Sequence, residues 1–287
     1  MRLGIVGMLP GDLRSLTNAH LHKIRELGFT GAGFHLPGEL LNEISDEAAA
    51  RCRQMFADHE IDLAQFAITY GDCLFDPDPE ARSAAVSKVV GGAALAARLG
   101  ADCYLIRPGS HNPAGPWTPH RENHTPEAYT LLVRTLREIA RRTAALNVIT
   151  VVETHVVSIL NTPSVCRRLI TSVNHATIRL VMDYVNHFES IDQVYSDTER
   201  LNHIFETIGP LAPVCHVKDI AVGNRLVVHL DEAVPGHGEL DLALALGLFH
   251  AHHPDGYALI EHLGPDLVPL AAVNVRTISN RAGIPIC

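Results

Sequence analysis

Short apolar runs alternate with longer amphipathic segments about eight times along the chain. The short runs are rich in β-branched residues and lack a polar alternation, which is typical of parallel strands buried on both faces. The longer segments repeat apolar residues at a spacing of three or four, which predicts helices with one buried face. The predicted strands span residues 3–8, 31–36, 63–69, 103–107, 148–155, 178–184, 213–217 and 257–262.

The predicted helices alternate with the strands, and several carry sequence signals at their ends. Pro126 and Pro163 each stand just inside a helix, where the missing backbone N–H has no partner to lose. Gly28 and Gly100 follow the last turns of two other helices, where glycine is the usual stop. The predicted helices span residues 18–27, 45–59, 79–99, 125–146, 162–172, 197–208, 240–252 and 265–281.

A repeated order of strand and helix favours a (β/α)8 TIM barrel, an α/β fold, over a doubly wound sheet. No glycine-rich nucleotide-binding motif follows the first predicted strand, although a dinucleotide-binding sheet would carry one there. Because barrels of ~250 residues routinely form one domain, we expect residues 1–287 to form a single domain. The two longest irregular stretches, 108–124 and 218–239, follow predicted strands and are expected to be functional loops.

The composition favours a soluble enzyme. The hydrophobic share of 47% is enough for a full core, while no stretch reaches the ~18 apolar residues of a membrane span. The first residues lack the regions of a signal peptide, and the six cysteines form no C-x-x-C pair. We therefore expect a cytoplasmic protein with free thiols and no membrane partner. The net charge of −9 disfavours nucleic acid as a partner.

Four apolar runs in the second half of the chain end at residues that can bind a metal ion, namely Glu153, Asp183, His216 and Glu261. The carboxyl ends of barrel strands open onto one face, so these side chains are predicted to meet there. Three carboxylates and one imidazole form a mostly oxygen ligand set, which suits Mn²⁺, Mg²⁺ or Co²⁺ better than a structural zinc. Any one of them could instead cap a helix or pair with an arginine, but their coincidence favours one metal site.

The sequence around these residues resembles the xylose isomerase-like barrels. The matching motifs are Val-Val-Glu-Thr-His at Glu153, Val-Met-Asp-Tyr-Val-Asn-His at Asp183, Cys-His-Val-Lys-Asp at His216, Leu-Ile-Glu-His at Glu261, and the loop Val-Pro-Gly-His-Gly-Glu-Leu-Asp at 234–241. The resemblance covers nearly the whole chain. It is to the sugar isomerase/epimerase branch, which includes ketose 3-epimerases, inosose isomerases and dehydratases, and hydroxypyruvate isomerase.

The resemblance implies a metal-dependent isomerase or epimerase that acts on a ketose, a keto-inositol or a related keto-sugar. In such barrels the residues matching Glu153, Asp183, His216 and Glu261 bind one divalent ion, expected here to be Mn²⁺, with Mg²⁺, Co²⁺ and Zn²⁺ as alternatives. The residues matching the two glutamates are also catalytic, because they transfer a proton by way of a metal-bound enediolate. Family members often form dimers or tetramers, so a homo-oligomer is expected.

Six further residues are candidates for substrate binding because they lie at or just after the ends of predicted strands. Arg107 suits a carboxylate or phosphate, and its alternative is a structural ion pair with a neighbouring glutamate. Lys218 is one of three lysines against twenty arginines, and its alternative is a surface lysine paired with Asp219. His187 resembles a substrate-binding histidine of ketose 3-epimerases but stands one residue further from the aspartate. The six candidates are His35, Arg107, His155, His187, Lys218 and Arg225.

Three other functions stay open at this point. A lyase of the same family, such as a dehydratase, a decarboxylase or an enzyme that cleaves 3-keto-glycosides, would use Arg107 and Lys218 to bind an acid-bearing keto-sugar or keto-acid. A sugar-binding barrel without turnover would have no need of two glutamates at one metal. The 18 histidines invite comparison with the endonuclease IV relatives of this barrel. Those DNA repair enzymes need three metals with further histidine ligands, whereas this chain is acidic and offers few additional ligands.

Overall fold

Eight parallel strands close into a barrel in the computed structural model, which describes all of residues 1–287. An antiparallel hairpin, β8 (Asp219–Val222) and β9 (Leu230–Ala233), lies outside that barrel. The barrel strands are β1 (Arg2–Val6), β2 (Gly31–Pro37), β3 (Asp62–Thr69), β4 (Cys103–Ile106), β5 (Ile149–Val152), β6 (Ile178–Met182), β7 (Val214–Val217) and β10 (Tyr257–Ile260). The last of these pairs with the first, so the predicted (β/α)8 barrel is confirmed.

Nine α-helices are distributed between the strands, namely α1 (Asn18–Glu26), α2 (Asp46–Asp58), α3 (Pro79–Leu99), α4 (Pro126–Thr143), α5 (Pro163–Val173), α6 (Ile191–Tyr195), α7 (Asp197–Ile208), α8 (Leu242–His252) and α9 (Val268–Arg281). The side chains of Thr125 and Thr162 cap α4 and α5 by accepting backbone N–H groups of their first turns. The chain leaves α3 through Gly100, whose φ of 73° lies in the left-handed region that favours glycine. The predicted start and stop signals are therefore confirmed.

Side chains along each barrel strand alternate between two apolar layers. In β4, Cys103 and Leu105 belong to a cluster of ten buried residues that lines the inside of the barrel. Tyr104 and Ile106 belong to a cluster of 75 buried residues that packs the strands against the helices. Because both faces of the strands are buried, the strands read as continuous apolar runs in the sequence. This alternation also determines which residues at the strand ends face the barrel axis.

The hairpin of β8 and β9 corrects the prediction that residues 218–239 are irregular. Its strands pair antiparallel, with Asp219 opposite Ala233. The sequence does not reveal β9 because Asp231 and Glu232 are polar and exposed there, so no apolar run marks the strand. Helix α6 was not predicted either, since its five residues are too few to show a helical period.

Five of the predicted strands extend past their true ends, among them the three that lead to Glu153, Asp183 and Glu261. β5 ends at Val152, β6 at Met182 and β10 at Ile260, whereas the sequence pattern continues for another two or three residues in each case. The backbone ladder stops at the rim of the barrel, where the chain turns away toward the next helix. The apolar pattern alone does not mark this rim. Each of these three strands stops one residue before a predicted metal ligand.

No helix of the structure combines the length and the apolar character needed to cross a lipid bilayer. All six cysteines are free, as predicted, and five of them are buried while Cys287 is exposed. The buried thiols lie within the barrel and helix layers, so they act as small apolar side chains in the core. The expected cytoplasmic location stays a prediction.

Candidate metal centre

The four predicted ligands come together at the carboxyl end of the barrel. Each follows an inward-facing apolar residue by two positions, and the alternation along a strand turns both toward the barrel axis. One ligand atom from each residue lies within 4.8 Å of the other three, and all four residues are buried. The pairs of apolar residue and ligand are Val151 and Glu153, Val181 and Asp183, Val214 and His216, and Leu259 and Glu261.

Each ligand presents one buried atom that has no hydrogen-bond partner: Glu153 Oε2, Asp183 Oδ2, His216 Nδ1 and Glu261 Oε1. The imidazole nitrogen lies 3.1 Å from Glu261 Oε1 and 3.5 Å from Asp183 Oδ2. Burying carboxylate oxygens without hydrogen bonds is unfavourable unless a cation compensates their charge. The four convergent atoms therefore fit one divalent metal ion, and three of them are the oxygen ligands that hard cations prefer.

Gln65 of β3, a residue not predicted from the sequence, orients the imidazole of His216. The Gln65 amide oxygen lies 2.9 Å from His216 Nε2, and both residues are fully buried. When Nε2 donates to this oxygen, Nδ1 faces the carboxylates, which is how outer-shell partners arrange ligating histidines. The one available signal was that Gln65 interrupts the apolar run 63–68.

Without a metal ion, the neighbouring carboxylates hold a proton on His216. Burial alone would lower the pKa of His216, but the charges of Glu261 and Asp183 overcome it and raise that pKa to about 10. A metal ion binds the unprotonated nitrogen, so its binding at His216 displaces this proton. Binding of a metal ion to the cluster would therefore release a proton.

The two glutamates differ in their affinity for protons. Burial raises the pKa of Glu153, and the negative charge of Glu261 raises it further. Burial acts in the same direction on Glu261, but His216 and Lys218 outweigh it and hold the pKa of Glu261 well below its usual value. Carboxyl groups whose pKa values are pushed apart in this way are typical of acid–base pairs.

Lys218 lies inside the cluster. Its Nζ is 2.8 Å from Asp183 Oδ2, 2.8 Å from Glu261 Oε1 and 3.4 Å from Glu232 Oε1, and its side chain is only 3% exposed. The contacts with Asp183 and Glu261 are close, buried ion pairs. Burial would lower the pKa of Lys218, but Asp183 and Glu261 raise it above its usual value, and the amine is charged.

Asp219 is not the partner of Lys218, which corrects the alternative of a surface lysine pair. Its carboxylate instead accepts backbone N–H groups of Gly236 and Gly238 at 3.0 and 2.9 Å, together with those of Ile220 and Leu240. A Cβ on Gly238 would lie 2.2 Å from Asp219 Oδ1, so only glycine fits at this position. The loop 234–241 is thereby held against the start of β8, directly after the strand that carries His216.

Arg107 and Trp117 form a wall beside the cluster. Arg107 Nε lies 3.4 Å from Glu153 Oε2, and its guanidinium carbon is 5.9 Å from the centre of the Trp117 ring. The side-chain nitrogens of Arg107 make no hydrogen bond within the protein, and the side chain is 15% exposed. The structural ion pair considered for Arg107 is therefore present, while the guanidinium keeps donors free for a ligand.

Two other substrate-binding candidates lie at the same end of the barrel. The ring of His155 is 5.8 Å from that of Trp117, and its Nδ1 accepts the backbone N–H of Val157 at 3.1 Å. His35 Nε2 is buried without a partner. Burial, and after it the charge of Arg107, lowers the pKa of His35 to about 4, so the imidazole is neutral near pH 7.

His187 and Arg225 do not line the ligand cluster as the other four candidates do. His187 is fully buried, with Nε2 2.9 Å from Thr154 Oγ1, and burial lowers its pKa to about 3. It supports the loop after β6, and only its Nδ1 is without a partner. Arg225 is 56% exposed at the tip of the hairpin, 3.6 Å from Asp231. Substrate binding by these two residues stays a prediction.

Glu232 and His262 also belong to the site, although the sequence analysis did not select them. His262 Nδ1 lies 3.1 Å from both carboxylate oxygens of Glu232, and its Nε2 lies 3.5 Å from Glu261 Oε1. His262 has a φ of 59°, a left-handed conformation that costs energy for a residue other than glycine. Glu232 could not be predicted because it lies on β9, a strand of the unpredicted hairpin. Its contacts with Lys218 and His262 place β9 beside the metal ligands.

Comparisons with known proteins agree with this fold. The family model described as xylose isomerase-like TIM barrel matches residues 21–277. No curated protein matches the chain in sequence. Solved structures match nearly the full length of the chain. Their sequence identities are low, so these matches show a shared fold and nothing more.

Three of these structures illustrate the range of the neighbours. D-psicose 3-epimerase from Clostridium cellulolyticum H10, solved with D-tagatose, has a TM-score of 0.75 at 15% identity and covers 100% of both chains. A xylose isomerase-like TIM barrel protein from Mycobacterium smegmatis in complex with magnesium has a TM-score of 0.72 at 16% identity, over 98% of this chain and 96% of the other. A probable 3-DHS dehydratase from Bacillus anthracis has a TM-score of 0.71 at 16% identity, over 98% and 100%.

We predict that the protein binds one equivalent of a divalent ion and that His216→Ala weakens this binding by at least about 100-fold. Loss of a residue that only hydrogen-bonds to a metal ligand already lowers metal affinity ~10–100-fold, so loss of a ligand itself should cost at least as much. Metal titration of chelator-treated protein, followed by calorimetry and elemental analysis, measures the effect. His237→Ala is the matched control, since His237 is an exposed histidine outside the cluster. Unchanged metal affinity in His216→Ala would contradict the assignment.

Proposed function

The chain belongs to the family of xylose isomerase-like TIM barrels, and from that premise we propose that it is a divalent-metal-dependent isomerase or epimerase. Its proposed substrate is a ketose, a keto-inositol or a related keto-sugar. The observation that supports this most strongly is the convergence of four unpartnered ligand atoms within 4.8 Å, two of them from glutamates. Epimerases among the structural neighbours are consistent with the same chemistry.

Glu153, Asp183, His216 and Glu261 are the residues that would hold the ion. A divalent ion bound there would supply Lewis acidity, which acidifies the C–H next to a substrate carbonyl and stabilises the negative charge of an enediolate. We propose Mn²⁺ as the native ion because the ligand set is mostly oxygen with one nitrogen. Homo-oligomerisation and a cytoplasmic location complete the proposal.

The two glutamates are the proposed proton-transfer groups. β6 and β7 separate β5 from β10 in the barrel wall, so Glu153 and Glu261 approach the cluster from different sides. One of the two carboxylates would accept the proton from the substrate carbon, and the other would deliver a proton from the other side. Acid–base catalysis of this kind contributes typically ~10²–10⁴-fold in rate.

The carbon to which the proton returns, and the face of that carbon, decide the reaction. Return to the opposite face of the same carbon gives an epimer, and return to the neighbouring carbon gives the isomer. Arg107 and the Trp117 ring would orient the rest of the substrate and exclude water on the side of Glu153. Positioning of this kind needs fixed groups, and the buried contacts of His216 with Gln65 and of Asp219 with its loop provide them.

A lyase is the second candidate, and Arg107 is the observation that favours it. Its free donors next to Glu153 suit a carboxylate or phosphate on the substrate. An acid-bearing keto-sugar could then lose water, carbon dioxide or an aglycone after the same proton abstraction. A probable dehydratase among the structural neighbours is consistent with this alternative. A barrel that only binds sugar is disfavoured by the buried pair of glutamates.

Incubation with ketoses, inososes and keto-acids in D₂O, with Mn²⁺ present, tests these functions. An isomerase or epimerase incorporates solvent deuterium next to the carbonyl and releases nothing. Release of water, carbon dioxide or an aglycone would identify a lyase instead. Absence of exchange and of turnover across the panel, in protein with full metal occupancy, would contradict both catalytic proposals.

We predict that Glu153→Gln and Glu261→Gln each lower kcat by at least about 100-fold, because a carboxamide keeps the shape but cannot accept a proton. Metal content must be measured in parallel, since both side chains also bind the ion. Glu199→Gln on the exposed face of α7 is the matched control and should leave kcat unchanged. Full activity of Glu153→Gln at full metal occupancy would show that the proton moves through another group.

We predict further that Arg107→Gln lowers kcat/KM by about 10–100-fold on acid-bearing substrates, the equivalent of one hydrogen bond to a charged group. Neutral keto-sugars should lose much less. Arg141→Gln, on the exposed face of α4, is the comparison variant and should change neither value. Equal losses on neutral and acidic substrates would mean that Arg107 acts through its ion pair with Glu153 rather than on the substrate.

A further inference from the structure

We infer that Lys218 is an internal cation that neutralises the metal-free centre and competes with the divalent ion for two of its ligands. This inference rests on the proposed metal site, and it concerns how the ligand carboxylates are neutralised when no metal ion is bound. Its basis is the position of the Lys218 ammonium, 2.8 Å from Asp183 Oδ2 and 2.8 Å from Glu261 Oε1. These are the same oxygens that have no hydrogen-bond partner and face His216 Nδ1.

The charges of the cluster show why such a cation is needed. Three carboxylates are buried together at the end of the barrel, and buried charges without partners are strongly destabilising. In the structure, Arg107 lies against Glu153, while Lys218 lies against Asp183 and Glu261. Every ligand carboxylate therefore has a cationic side chain beside it.

A divalent ion and the lysine cannot both hold these oxygens as the lysine does now. An ammonium beside Asp183 Oδ2 and Glu261 Oε1 would lie within a few ångströms of an ion bound to the same atoms. Repulsion between a single and a double positive charge at such a distance is large in a buried site. Metal binding therefore requires the ammonium to move away, and that requirement weakens the apparent affinity for the ion.

Glu232 offers the displaced ammonium a second position. Its Oε1 already lies 3.4 Å from Lys218 Nζ, and its side chain is 44% exposed on β9. The flexible four-carbon stem of lysine allows a shift of this size, which a planar arginine would make less readily. The choice of lysine at this position, in a chain with twenty arginines and three lysines, fits a cation that has to move.

The Lys218 ammonium should affect both the stability of the metal-free protein and its affinity for the ion. A centre neutralised by Lys218 stays folded when metal is scarce and binds the ion reversibly. A centre without the lysine would bind the ion more tightly but would be less stable when empty, because Asp183 and Glu261 would lose one of their two cationic partners and keep only His216. Metal affinity and metal-free stability should therefore change in opposite directions in one variant.

Lys218→Met tests the inference, because methionine keeps much of the length of the side chain and removes its charge. We expect chelator-treated Lys218→Met to bind Mn²⁺ at least about tenfold more tightly than wild type, measured by calorimetry and by electron paramagnetic resonance of free Mn²⁺. Its metal-free form should unfold at a lower temperature, and saturating metal should remove most of the difference. Lys23→Met, an exposed lysine on α1, controls for total charge and should change neither quantity.

Lys218→Gln is the second variant, used if the methionine protein does not fold, because an amide can still donate hydrogen bonds to the carboxylates. It should also bind Mn²⁺ more tightly. Weaker or unchanged binding in the folded variant would overturn the inference, and weaker binding would make Lys218 an orienting partner of the ligands. Binding by neither wild type nor variant would overturn the metal site itself, which distinguishes the two failures.

Discussion

The burial of three carboxylates at one end of the barrel is the constraint on which the rest of the site depends. Carboxylates removed from water need cations or hydrogen bonds. Each of these three carboxylates has one oxygen without a hydrogen-bond partner. Arg107, Lys218 and the imidazole of His216 supply positive charge around them. A divalent ion would satisfy all of the free atoms at once, which no side chain of the site does.

The barrel is what makes this unfavourable arrangement sustainable. Its strands are buried on both faces, and the strict alternation of side chains directs one residue from each of four strands toward the axis at the same level. Contacts outside the ligands then limit their freedom: Gln65 holds the imidazole of His216, and Asp219 holds the loop that follows. The cost of the polar cluster is thus offset by a large apolar core.

The sequence predicts the barrel and the four ligands because both follow from local patterns. Apolar runs that end in Glu153 or Asp183 need no knowledge of distant residues, and helix signals such as Gly100 are local as well. Gln65, Glu232 and the position of Lys218 depend on which strands become neighbours and on a hairpin with an exposed polar strand. A pattern along one segment does not carry that information, so these residues emerge only from the tertiary structure.

A crystal of the protein soaked in Mn²⁺, with anomalous data, tests the central claim most directly. The account predicts one strong peak about 2.0–2.2 Å from atoms of Glu153, Asp183, His216 and Glu261. It also predicts that Lys218 Nζ has moved from Asp183 toward Glu232. A peak held by other residues, or none at this end of the barrel at saturating Mn²⁺, would contradict the assignment of the four ligands.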